Sequence, residues 1–136
     1  MAYRIDQAVV LGAGTMGAAI AAHLANSGIR VLLLDVAPSE LTEKEGARGL
    51  SLDDRNVRDR VVRQGWERCL AARPANLFSE RRGELVTLGN FEDDFDRVAE
   101  ADWILEAVVE RLPAKQAIMA RIEAVRRPDS IVTTNT

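Results

Sequence analysis

Three glycines at G-x-G-x-x-G spacing, Gly12, Gly14 and Gly17, stand between an apolar run (residues 8–11) and an alanine-rich segment of helical composition. A strand-to-helix turn with this spacing holds a dinucleotide, and each glycine has its own steric task. Gly12 permits the sharp exit from the strand, Gly14 leaves room for a pyrophosphate, and Gly17 lets the helix pack closely on the sheet. The helix start adds unpaired N–H groups and about half a positive charge. Asp35, eighteen residues after Gly17, ends a second apolar run. An acid there accepts hydrogen bonds from the adenosine ribose hydroxyls and repels a 2′-phosphate, so the expected cofactor is NAD rather than NADP.

Other reactive side chains carry weaker signals. Glu110 ends a later apolar run, at the strand end where open α/β sheets bind ligands. Lys115 falls in the first turn of the next helix, where a cation opposes the dipole and calls for a ligand or a carboxylate partner. The two residues equally fit a surface ion pair, worth about 0–1 kcal/mol. His23, the one histidine, lies well inside the first helix, away from the phosphate end, and reads as structural. Cys69 shares the apolar stripe of its helix and reads as a buried thiol. No metal-ligand spacing appears. Residues 55–82 hold eight arginines against three acids, a local excess of +5 that suits an anionic ligand or a solvated helix.

The elements that carry these residues alternate. Residues 15–27 form a helix stopped by Gly28, and residues 30–35 a strand whose continuous apolar character predicts burial on both faces. Residues 38–54 allow only short or interrupted helix. Residues 56–73 predict a helix with the stripe Val62, Trp66, Cys69 and Leu70, capped by Asp53 or Asp54. Residues 75–83 read as loop and 85–88 as a strand closed by Gly89-Asn90. Phe91, Phe95 and Val98 mark an acidic amphipathic helix. Residues 103–109 predict a strand. Pro113 opens a helix with the stripe Ile118, Met119, Ile122 and Val125, and residues 130–134 predict a last strand. The fold class is α/β: a doubly wound parallel sheet, order 3-2-1-4-5, with a helical excursion between strands 2 and 3.

Composition agrees. The 136 residues suit one domain, residues 1–136, and the hydrophobic fraction of 47% suits a packed core. A net charge of −3 argues against nucleic acid or an anionic membrane as partner. A single cysteine, no apolar run of membrane-spanning length and a strand within ten residues of Met1 give the expectation of a cytoplasmic domain without a cleavable signal. Up to this point the residues leave open another NAD-dependent dehydrogenase, of hydroxy acids or nucleotide sugars, and a non-catalytic NAD-binding protein.

The chain resembles the NAD-binding domain of the 3-hydroxyacyl-CoA dehydrogenases. The matching residues are Val10-Leu11-Gly12-Ala13-Gly14-Thr15-Met16-Gly17, Val31-Leu32-Leu33-Leu34-Asp35, Asp102 through the Glu106-Ala107-Val108-Val109-Glu110 segment, Lys115, and Thr134-Asn135-Thr136. The middle excursion, with Arg73-Pro74-Ala75, is most similar to long bacterial forms fused to an enoyl-CoA hydratase. The resemblance implies a Rossmann fold and oxidation of a (3S)-3-hydroxyacyl-CoA to the 3-ketoacyl-CoA with NAD, in fatty-acid β-oxidation. It implies cofactor contacts at Gly12, Gly14, Thr15, Met16, Gly17, Asp35, Val108, Val109, Glu110, Lys115 and Asn135, and an excursion that helps hold CoA. In the family the catalytic histidine, its glutamate partner and a helical domain follow this region. The fold is therefore expected to be truncated on its C-terminal side, with no catalytic residue and no activity by itself. The parent is expected to take an acyl-CoA substrate, as a homodimer or in a multienzyme complex.

Overall fold

The computed structural model describes residues 4–108 and 112–135, with the backbone alone for Leu112. Its centre is a five-stranded parallel sheet in the order β3-β2-β1-β4-β5, the expected topology. The strands are β1 (Gln7–Leu11), β2 (Arg30–Asp35), β3 (Val86–Asn90), β4 (Trp103–Glu106) and β5 (Ile131–Thr134). The α-helices are α1 (Thr15–Asn26), α2 (Glu43–Ala47), α3 (Arg55–Arg58), α4 (Arg60–Ala71), α5 (Glu80–Gly83) and α6 (Leu112–Val125). A 3₁₀ helix, Phe95–Glu100, precedes β4.

Successive residues of the inner strands enter two separate cores, which is why these strands read as unbroken apolar runs. Ala8, Val10, Val31 and Leu33 meet α1 and α4 through Ala18, Ala21, Val62 and Trp66. Val9, Leu11, Leu32 and Leu34 meet the 3₁₀ helix and α6 through Phe95, Val98, Ile118 and Ile122. Helix α1 ends as its sequence requires, with Gly28 in the left-handed region (φ +85°).

Several expectations need correction. The helix foreseen over residues 56–73 is two helices broken at Asp59, with Asp54 capping the first through the Asn56 N–H. Its stripe holds at Val62, Trp66 and Cys69, but Leu70 is exposed. Burial pushes the Cys69 thiol pKa up, so this group stays an unreactive core thiol. Residues 75–83, expected as loop, contain α5. This stretch docks on α1: the Asn26 side chain donates to Asn76 O (2.7 Å) and accepts from Phe78 N (2.9 Å). Strand β3 runs on through Gly89 and Asn90, and the foreseen amphipathic helix is the shorter 3₁₀ helix. Strand β4 stops at Glu106, three residues before the predicted end.

Asn90 explains the β3 and 3₁₀ corrections. It is fully buried, so it does not act as a solvent-facing turn residue. Its Nδ2 donates to Asp59 (2.7 Å) and Asp93 (2.9 Å), and its Oδ1 accepts from Glu92 N and Asp93 N. That local turn delays the helix that follows. Around it, Arg58 grips Asp93 with two nitrogens, and Arg55 donates to Asp59 (2.8 Å) and Asp94 (2.6 Å). The cluster ties α3 and the start of α4 to the end of β3.

The Arg58 hydrogen bonds, and Asn90 after them, pull the Asp93 carboxyl from its ordinary 3.8 down to about 2. A pKa depressed in the folded state adds stability that is complete above the unfolded value and disappears as pH falls through the folded one. The Asp93 contribution is therefore lost between about pH 4 and pH 2. Asp93→Asn is expected to lower the melting temperature at pH 7 and to flatten its fall across that window, as followed by thermal denaturation.

Candidate functional site

Strand order reverses between β1 and β4, so the segments leaving these two strands diverge to opposite faces of the sheet. The crevice that opens there is where doubly wound sheets take ligands. It forms a cleft of about 760 Å³ over the carboxyl ends of the strands. Gly12, Gly14, Thr15, Met16, Gly17, Asp35, Val108 and Asn135, all singled out from the sequence, line it together.

The glycine turn is fixed by contacts between main chains. Gly12 has φ +108°, and a Cβ there would lie 2.5 Å from the Ala107 carbonyl oxygen. A Cβ on Gly17 would collide with the Gly12 carbonyl, so its close approach is to the turn itself rather than to the sheet. Gly65 of α4 shows the same constraint against the Ala13 carbonyl. The excursion helix therefore rests directly on the glycine turn, which nothing in the residue pattern signalled. Gly14 differs: it is exposed, and a Cβ there would meet nothing within 4 Å among the described residues.

The start of α1 is electrically open. Its N-cap residue, Gly14, offers no side-chain hydrogen bond, and its first turn holds no acid. By contrast, α2 begins with a complete capping box from Thr42 and Glu45. Asp35 stands half-buried at the lip of the cleft, where its Oδ2 accepts from Ala13 N and its Oδ1 from Val36 N, both at 2.7 Å. Each carboxylate oxygen retains a second acceptor position, so Asp35 braces the turn and still presents acceptors to the cleft.

Lys115 is not among the cleft-lining residues. Its side chain, mostly buried, turns to Glu106, with Nζ 3.6 Å from Oε1. Val109 and Glu110 lie outside the described residues, as does Thr136. His23 is exposed on α1 and does not line this cleft. Among the described residues no group of three His, Cys, Asp or Glu side chains is placed to hold a metal.

Sequence reasoning passed over Glu106 and Arg121. Glu106 is 1% exposed at the end of β4, and continuous hydrophobicity around it hid an acid inside the core. Arg121 lines the cleft, donates to Phe91 O (2.7 Å) and stacks 4.0 Å from the centre of the Phe95 ring. Its signal was available: Ala114, Ala117, Ile118 and Arg121 follow helical spacing and form the cleft face of α6. Part of the arginine excess of the excursion is taken up within the chain. Arg55, Arg58 and Arg60 meet Asp59, Asp94, Asp93 and Glu45, and Arg73 donates to the last carbonyls of α4.

The model of the 3-hydroxyacyl-CoA dehydrogenase NAD-binding domain matches residues 7–136. The chain belongs to this family. A probable 3-hydroxyacyl-CoA dehydrogenase of Bacillus subtilis is 48% identical over 132 residues, which are 97% of this chain and 17% of that protein. A putative fatty acid oxidation complex trifunctional enzyme of Rickettsia felis is 29% identical over the whole chain and 17% of its own length. The crystal structure of 3-hydroxybutyryl-CoA dehydrogenase from Escherichia coli superposes with a TM-score of 0.65 at 28% identity, covering 98% of this chain and 25% of that one. The chain thus spans about a sixth of the two relatives' length. It has the fold of the family's NAD-binding domain, and NAD is the family's cofactor.

Gly65→Ala is expected to push α4 off the turn and to cost about 1–3 kcal/mol, as overpacking does. Thermal denaturation should show a drop of several degrees, whereas Gly46→Ala, where the added methyl meets open space, should leave the transition nearly unchanged.

Proposed function

We propose that this chain forms the NAD-holding part of an enzyme that oxidises (3S)-3-hydroxyacyl-CoA thioesters to 3-ketoacyl-CoA. The observation that carries the reading is the contrast among the three glycines. Gly12 and Gly17 are demanded by the chain's own packing, but among the described residues Gly14 has no neighbour that excludes a side chain. It borders an uncapped helix start and a cleft, so the space beside it suits a pyrophosphate.

Bound NAD supplies the hydride acceptor. This chain's residues bind and orient it. The N–H groups at the start of α1 face the phosphates, with Thr15 and Met16 at that end of the cleft. Asp35 accepts from the adenosine ribose hydroxyls through the acceptor positions that Ala13 and Val36 leave open. Ala107, Val108 and Asn135 form the wall on the far side of the turn. Val109, Glu110 and Lys115 enter this reading through the family resemblance alone, since Lys115 turns toward Glu106 and the other two lie outside the described residues. The acyl-CoA substrate, and a place in a larger multifunctional assembly, are supported by the names of the relatives and by their much greater length.

Two outcomes test the reading by calorimetry. Gly14→Ala is expected to weaken NAD binding at least tenfold with little change in melting temperature; unchanged affinity would remove the pyrophosphate assignment. Asp35→Ala is expected to cost at least tenfold in NAD affinity, given about 1.5–3 kcal/mol for a hydrogen bond to a charged group. It should also narrow the preference for NAD over NADP, because the charge that repels a 2′-phosphate is gone.

A further inference from the structure

We propose that Glu106 is the positioning residue for the nicotinamide half of the cleft, a role that rests on the NAD reading above. Glu106 sits in the sheet at the register position opposite Leu11, almost completely buried, where an apolar side chain would be the ordinary occupant. Both of its carboxylate oxygens are engaged. Oε2 accepts from Val108 N at 3.0 Å, Oε1 accepts from Thr134 Oγ at 3.2 Å, and Lys115 Nζ approaches Oε1 at 3.6 Å. Those three partners belong to the segment leaving β4, the end of β5 and the first turn of α6. One buried acid therefore joins the three elements on the β4 side of the switch point.

The Val108 hydrogen bond gives this arrangement a consequence for the cleft. It curls the chain back onto Glu106 directly after the strand and sets the Ala107–Val108 backbone. The Ala107 carbonyl is the group that a Cβ on Gly12 would strike, and both Ala107 and Val108 line the cleft. Asp35 performs the matching task on the other side of the turn, where its carboxylate takes the Ala13 N–H. Two strand-end carboxylates thus each fix one loop of the crevice by accepting a backbone N–H. Asp35 stands on the side of the adenosine ribose, so Glu106 governs the side that receives the other half of the dinucleotide.

Lys115 completes the device. Its Nζ is buried and has no hydrogen-bond partner among the described residues, at the helix end where a cation is least favoured. Glu106 supplies the countercharge that keeps it there. A buried ion pair is weak as a source of stability compared with apolar packing, so a role in geometry accounts better for its presence.

The test compares two ligands that share the adenosine half, NADH and ADP-ribose, titrated calorimetrically against the chain and its variants. Glu106→Leu keeps the size of the side chain and removes its acceptors. It is expected to weaken NADH at least tenfold and ADP-ribose less than twofold. Glu106→Gln retains one acceptor oxygen and should fall between wild type and Glu106→Leu for NADH, again sparing ADP-ribose. If Glu106→Leu does not fold, the Gln variant decides alone. Equal weakening of both ligands, or weakening of neither, overturns the assignment, because a purely structural ion pair does not distinguish the two halves. A wild-type chain that binds neither ligand overturns the NAD reading itself, and this inference with it, before any variant is compared.

Discussion

The structure depends on main chain meeting main chain around residues 12 and 13. The Ala107 carbonyl lies against Gly12, the Gly12 carbonyl lies under Gly17, and the Ala13 carbonyl lies under Gly65. At each of these points a single added carbon would force elements apart. Close packing without side chains leaves the turn little room to move, and interiors packed to this density transmit strain rather than absorb it. The start of α1 is held at a fixed place over the sheet as a result. The excursion, which the residue pattern marked only as an arginine-bearing insertion, serves as a buttress of the cofactor turn through α4.

Polar groups finish what packing begins. Asp35 and Glu106 stand on either side of the switch point, and each carboxylate accepts a backbone N–H from a loop that lines the cleft. Farther out, Asn90 and the Arg55, Arg58, Asp59, Asp93 and Asp94 cluster bind the excursion to the end of β3. Buried polar groups are tolerated when their hydrogen bonds are complete, and Asn90 uses both amide protons and both carbonyl lone pairs. Such networks set the angles at which helices leave the sheet, which hydrophobic burial alone leaves loose.

Much of this was legible in the residues. Unbroken apolar runs signalled strands buried on both faces, the glycine spacing signalled the turn, and the alternation of elements led to the observed strand order. Eight of the eleven expected site residues line one cleft. Some of what was missed concerns polar side chains with partners on other elements. Asn90 reads as a turn residue until Asp59 is seen to bury it. Glu106 reads as one more residue of an apolar strand until Val108, Thr134 and Lys115 are seen around its carboxylate. Lys115, which also reads as a partner for Glu110, approaches the buried Glu106 carboxylate in the fold.

Sequence by itself determined the architecture and the place of the glycine turn, because these follow from local sterics and periodicity. Tertiary structure alone decided which of the glycines the packing demands. Gly12, Gly14 and Gly17 are equivalent as letters in a motif. Only the positions of Ala107 and of the turn's own carbonyls show that two of them answer to the fold, whereas a Cβ on Gly14 would meet nothing within 4 Å among the described residues. Tertiary structure also decided the partner of Lys115 and the burial of Glu106, since electrostatic pairing depends on distances that chain order does not contain.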